Sequence, residues 1–260
     1  MSIILVVSDH TAYFLHHDQH GLTGQLTQSQ SSHTLASIKY KYDKSGNILS
    51  KGGMAFVNKG WQLTSITDSS KEVISSFEYT VDGHLAKEKN GSGDVVHTMS
   101  YDALGQMTGL NSTKFVYDSR GRMVKADAGV SVTYYPTTNY EVTVQGDTTT
   151  QTSYLFHQSR RASISTDITN GKSSDPVVRY YHGDHLGSVI AVSDGNGEIL
   201  TTYSYDDYGV FTLESGDNIS RYKYSGKEEF EGLYYFGARF YDPRVCAHSS
   251  LGPIGETHSH

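Results

Sequence analysis

Hydrophobic and polar residues alternate with a period of two along much of the chain. Ile38, Tyr40 and Tyr42 are separated by Lys39 and Lys41, and Tyr203 and Tyr205 alternate with Thr202 and Ser204. That period belongs to a half-buried β-strand with one aromatic face and one polar face. The same punctuation recurs along the chain. Asp-x-x-Gly occurs seven times, beginning at Asp18, Asp43, Asp102, Asp118, Asp184, Asp194 and Asp206, where roughly two matches follow from residue usage alone. Tyr42, Tyr101, Tyr117 and Tyr205 directly precede four of the seven. An Asp side chain accepts backbone N–H groups inside a turn and Gly supplies positive φ. Tyr-Asp-x-x-Gly therefore reads as the end of a strand, a tight turn and the start of a returning strand. An apolar residue follows two places after the glycine: Ile48, Met107, Met123 and Phe211. Phe56 to Gly60 and Tyr79 to Gly83 read as degenerate copies, and turn glycines at 46, 60, 83, 105 and 121 recur about one hairpin apart, as in a repeat array.

The expected fold is all-β, an antiparallel β-hairpin repeat array with little helix except near Lys227 to Phe230. No hairpin can bury its aromatic face alone, so Tyr rings are expected to stack across neighbouring strands, with their hydroxyls turned to solvent or to a polar lumen. Five segments are expected. Residues 1–37 hold one degenerate repeat, 38–125 the repeat array, 126–177 looser Thr/Ser-rich strands such as Tyr140 to Val144, 178–243 a denser aromatic region, and 244–260 a divergent tail.

Composition supports the strand reading. Aromatics reach 12% with 20 Tyr, while 26 Gly supply turns and only 4 Pro interrupt strands. With 21 Lys plus Arg against 28 Asp plus Glu, the net charge of -7 leaves no electrostatic footprint for nucleic acid. Cys246 is the lone cysteine and cannot form an internal disulfide. The apolar run Ile3 to Val7 is too short to span a bilayer and lacks the flanks of a signal peptide.

From Tyr180 the chain runs Tyr-Tyr-His-Gly-Asp-His-Leu-Gly-Ser-Val-Ile-Ala, then Tyr-Ser-Tyr-Asp-Asp-Tyr-Gly ending at Gly209, and later Gly-Leu-Tyr-Tyr-Phe-Gly-Ala-Arg-Phe-Tyr-Asp-Pro ending at Pro243. This stretch, residues 178–243, closely resembles the Rhs-repeat-associated core domain, and residues 38–125 resemble the YD-repeat array that precedes that core. The resemblance implies a segment of a β-ribbon shell that encloses a C-terminal toxin cargo, in a secreted or cell-surface setting. Partners would be that cargo or other shell segments. Self-association through uncovered strand edges is expected as well. In many members the core also frees the toxin by aspartyl self-cleavage.

The C-terminal end departs from the family pattern. Cys246-Ala247-His248 stands where Gly-Arg-Phe is typical, and Gly252 stands where the family's second Asp belongs. An aspartyl site needs two carboxylates that share a proton, so Asp242 alone does not supply it. No catalytic, cofactor-binding or metal-binding residue is therefore assigned, and the chain is read as a non-catalytic shell segment rather than an enzyme. Three other clusters hold residues of reactive type. His16, His17 and His20 form one short segment without a distant fourth ligand, Cys246 and His248 lack an orienting acid, and His258 and His260 read as a tail. His185 reads as a turn residue. The alternatives are a surface or carbohydrate-binding adhesion module, whose aromatic platforms would use the same Tyr residues, and residual aspartyl self-cleavage.

Overall fold

A computed structural model describes residues 19–20, 25–30, 37–157 and 160–249. The chain divides into two compact units, 1–97 and 98–260, and nearly every described element is an antiparallel strand. In the first unit Leu26–Gln30, Ser37–Tyr42, Ile48–Lys51, Met54–Lys59, Gln62–Thr67, Val73–Tyr79 and Leu85–Asn90 pair in succession. Alternation sends Tyr40, Ile48, Phe56, Leu63, Ile66, Phe77 and Leu85 inward. Lys39 and Lys41 stay exposed, as their spacing requires.

The Asp-x-x-Gly copies form one repeated turn. At Asp43 the carboxylate accepts the backbone N–H of Ser45 (2.8 Å) and of Asn47 (2.9 Å), and Gly46 closes the turn on the Asp43 carbonyl at φ +89°. The turns at Asp102, Asp118, Asp184, Asp194 and Asp206 repeat these bonds; Asp18 to Gly21 lies outside the described residues. The strand-end residue pairs with the residue six positions on. The pairs are Tyr42 with Ile48, Tyr101 with Met107, Tyr117 with Met123, Gly183 with Val189, and Tyr205 with Phe211. A register shift accompanies the first four of these pairs, the mark of a β-bulge that sharpens local twist, while the strand ending at Tyr205 carries its shift further in, between Thr202 and Tyr203.

Substituted copies build the same turn. Asp68 accepts from Ser70 and Glu72 although Lys71, at φ +67°, stands in the glycine position. Asn90 replaces Asp in the turn closed by Gly93, and the Thr80 hydroxyl accepts the N–H of His84. Tyr79 to Gly83 is thus a repeat turn. Phe56 to Gly60 is not, because Phe56 sits buried within a strand and Gly60 opens a two-residue loop between Lys59 and Gln62.

The tyrosine hydroxyls correct the sequence expectation. They bond backbone carbonyls: Tyr79 to Leu63 (2.9 Å), Tyr117 to Met107 (2.7 Å) and Tyr205 to Val189 (2.6 Å). In the last two cases the acceptor is the first residue, just after a turn, of the strand paired with the tyrosine's own, so each Tyr closes the open end of its strand pair. Burial pushes the Tyr79 phenol up to about 12 and those of Tyr117 and Tyr205 higher still. Tyr–Tyr stacking across strands is not the rule, because the residue opposite a strand-end Tyr is the apolar residue six places on.

In the second unit residues 99–101, Met107–Leu110, Thr113–Tyr117, Met123–Asp127, Val132–Thr137, Tyr140–Gln145, Thr148–His157, Arg160–Thr169, Val177–Gly183, Val189–Asp194, Ile199–Tyr205 and Phe211–Gly216 pair in turn. A second, four-stranded sheet follows: Glu228–Phe230, Leu233–Tyr235, Phe240–Asp242 and Ala247–His248. The expected helix near Lys227 is a single 3₁₀ turn at Tyr224–Gly226, and Glu228–Phe230 is strand because its backbone pairs with Leu233–Tyr235.

Candidate functional site: the capped face of the second unit

Residues 219–249 fold back over one face of the preceding strands. Their strands are only two or three residues long, with left-handed glycines at Gly232 (φ +87°) and Gly237 (φ +92°) turning the chain between them. Leu233, Tyr234 and Phe240 are each 1% exposed, so this cap has a core of its own. That core is shared with the repeat strands. Phe115 lies 5.1 Å from Phe230 and 5.0 Å from Phe240, and Tyr117 faces Tyr235. Tyr234 donates to the Gly209 carbonyl, Tyr241 to that of Tyr208 and Tyr101 to that of Ser249. Glu231 accepts from Asn111 and Thr113. These bonds join residues more than twenty apart in sequence and replace water partners that burial removes.

A charged network lies under the cap. Arg221 pairs with Glu228 and stands 3.6 Å from Glu141, so one guanidinium serves two carboxylates. It also donates to Tyr135 (2.7 Å) and Thr133 (3.2 Å), while Tyr135 donates to Glu228 (2.8 Å) and Tyr154 to Glu141 (2.8 Å). Burial pushes the Glu228 carboxyl up; the Arg221 charge opposes this and the Glu141 charge adds to it. Burial pulls Arg221 down, but Glu228, Tyr135 and Glu141 together hold it well above its ordinary value. Burial followed by the adjacent carboxylates raises the phenols of Tyr135 and Tyr154. The buried Lys223 ammonium bonds Glu229 and the Ser220 carbonyl, each at 3.0 Å. Such a network fixes geometry more than it adds stability, since desolvation offsets most of its Coulomb energy.

Between the cap and the strands runs a trough of about 460 Å³. Its floor is a hydroxyl ladder: Thr133 opposes Thr143, Thr143 opposes Thr150, and Thr152 opposes Ser165. Here the usual sidedness is inverted. Glu141, Thr152, Ser163 and Ser165 are buried, while Leu155 (61% exposed), Ile164 (40%) and Tyr180 (45%) face outward.

The residues weighed from the sequence do not assemble into a reactive centre. Asp242 is buried and held by Arg244, whose N–H, Nε and Nη2 all bond its carboxylate. It acts as a turn anchor. Cys246 sits in a turn at φ +57°, not on a strand beside His248, which is exposed and packs its ring against Tyr241 and Phe236. His185 is an exposed turn residue, as expected. Gly252, His258 and His260 lie outside the described residues, as do His16 and His17; of His20 only the backbone, in a strand, is described. Among the described residues no three His, Cys, Asp or Glu side chains gather as metal ligands do. Sequence reasoning missed Glu141, Arg161, Arg221 and Glu228. The available signal was Glu141 itself, a carboxylate alternating with Thr143 between two outward valines.

The Teneurin YD-shell sequence profile matches residues 16–249. The chain belongs to the Teneurin YD-shell family. Its long antiparallel hairpin repeat is consistent with a β-hairpin repeat shell. It is 29% identical over 234 residues to the tRNA3(Ser)-specific nuclease WapA of Bacillus spizizenii, covering 83% of this chain and 10% of that protein. It is 33% identical over 96 residues to the toxin subunit YenC1 of Yersinia entomophaga, covering 35% of this chain and 9% of that one. The crystal structure of TcdB2-TccC3 without its hypervariable C-terminal region shares the fold at a TM-score of 0.53 and 16% identity, over 93% of this chain and 17% of that one. The chain thus spans about a tenth of the curated relatives it matches.

Proposed function

We propose that this YD-shell segment is a non-catalytic wall and end-cap of a shell that encloses a toxin cargo. The observation that carries the reading is the cap itself: residues 219–249 close one face of the repeat strands and hold Arg221 and Lys223 in ion pairs, leaving a polar trough rather than a reactive centre. The names of its relatives, a tRNA nuclease and a toxin subunit, support a toxin setting and a secreted or surface location for the parent protein. The organisation follows the sequence segments, with the array at 38–125, the hydroxyl-lined strands at 126–177 and the core at 178–243. No catalytic, cofactor or metal residue is assigned.

The partners are a polypeptide cargo and further shell segments. Self-association of the isolated chain is supported by the outward Leu155, Ile164 and Tyr180, an apolar surface of the kind that marks contact faces. Intact-mass measurement over a pH series, combined with sedimentation at rising concentration, tests both parts. The chain should stay whole and should associate. A C-terminal fragment that disappears with Asp242→Asn would make it an enzyme, and a monodisperse monomer at high concentration would remove the self-association.

A further inference from the structure

A second cavity, of about 260 Å³, lies where the Gly183 to Gly187 turn meets Ser225 and Gly226 of the cap. Two of the residues lining it are cationic, Arg161 and Lys227, whose ammonium also lies 5.1 Å from the Phe236 ring centre, and none is acidic. That is unusual in a chain with a net charge of -7. Two other cations under the cap have acidic partners: Arg221 has Glu228, and Lys223 has Glu229. Arg161 has no ion pair among the described residues. Its guanidinium lies 3.9 Å from the Tyr222 ring centre and 5.0 Å from that of Phe156, with Nη2 donating to the Gly226 carbonyl at 3.1 Å. Nη1 is buried without a partner. The Glu228 charge reaches Arg161, but its Oε1 is taken by Arg221 and Tyr135. A guanidinium nitrogen buried without a partner, on a cation without a carboxylate of its own, is costly, and an anion would relieve that cost.

The geometry selects the anion. Neighbouring backbone donors are already used: Gly187 N–H goes to Asp184, Gly226 N–H to Lys223, and Ser225 N–H to the Ser188 hydroxyl. No nest of free N–H groups is left for a tetrahedral phosphate. A flat guanidinium edge and one ammonium suit a single planar carboxylate, and the cavity is smaller than the range of about 300–1,000 Å³ typical of larger ligands. We propose that the Arg161–Lys227 pocket is a carboxylate-binding site, filled either by a small free carboxylate or by an Asp or Glu side chain of a polypeptide.

The test is NMR titration of the full chain, following the Arg161 side-chain nitrogens, with acetate, inorganic phosphate and a capped glutamate tripeptide. Acetate should shift the Arg161 signal saturably and bind more tightly than phosphate. Lys227→Met, which removes the ammonium lying 5.1 Å from the Phe236 ring centre and keeps the side chain's apolar length, should weaken acetate about tenfold, and Arg161→Gln, followed through the backbone amides of Gly226 and Lys227, should abolish saturation. Tripeptide binding about tenfold tighter than acetate identifies a side-chain carboxylate as the occupant, and equal affinity identifies a free one. The proposal is overturned if acetate does not saturate, if phosphate binds as tightly, or if Lys227→Met leaves the affinity unchanged.

Discussion

The Asp-turn hairpins and the Thr/Ser-rich strands of the second unit solve the same problem differently. At Tyr117 and Gly183 the turn pairs a residue with the one six places on and shifts the register. At Gln145 to Thr148 and Thr169 to Lys172 the loops have two residues; Asn170 and Gly171 supply φ of +53° and +74°, the twist-matched hairpin geometry. The Asp turns give strands whose end tyrosines reach back to the start of the strand paired with their own. Unbulged loops let Thr148–His157 and Arg160–Thr169 pair through ten consecutive rungs without a shift. The first device builds an apolar interior and the second a polar trough, so turn chemistry decides which kind of surface each stretch can offer.

The largest expected effect falls where the two meet. Phe240→Ala removes a ring packed on Phe115, Phe230 and Tyr235 and should cost about 3–5 kcal/mol in chemical denaturation. Arg221→Met strands Glu141 and Glu228 without their shared cation, at a cost of about 3 kcal/mol. Its pH dependence has a definite sign. A carboxyl raised in the fold binds its proton more tightly there than when unfolded. The stability from Glu228 is therefore full below the ordinary glutamate value of 4.5 and falls as pH rises through the raised one. Arg221→Met should steepen that loss, measured as melting temperature against pH.

Much of this organisation could be read from the sequence. The Asp, Gly and Tyr spacing located the turns because their bonds are local, between residues two to four apart. Tyr79 to Gly83 was legible as a degenerate copy, but the copies at Asp68 and Asn90 escaped because Lys71 takes the glycine's conformation and because an Asn oxygen accepts the same N–H groups. The cap escaped for a different reason: Tyr101 meets Ser249 and Asn111 meets Glu231, pairings with no local signature. The trough was hidden by its inversion, since an apolar-inward rule places Ile164 inside and Thr152 outside.

Smaller changes sharpen the comparison. Tyr205→Phe removes the bond to the Val189 carbonyl and should cost about 1 kcal/mol. Turn hydrogen bonds hold Asp43, Asp118 and Asp194 below the ordinary aspartate value of 3.8, with the Asn47 side chain the leading cause at Asp43 and backbone N–H groups at the other two. Their contribution is full above that value and lost as pH falls through the lowered ones, so strand circular dichroism should decline in strong acid. Ile164→Ser, on the outward face, should change stability by less than about 0.5 kcal/mol. A loss comparable to that of Phe240→Ala would refute the inverted sidedness.

The central claim is that residues 219–249 and the repeat strands beneath them form one cooperative body, a capped wall. Amide hydrogen exchange of the full chain, wild type against Phe240→Ala, tests it most directly. The amides of Thr113–Tyr117 and Met123–Asp127 should lose protection in step with those of Leu233–Tyr235. If the cap amides open while the strands beneath keep wild-type protection, the cap is a separate appendage and the account is wrong.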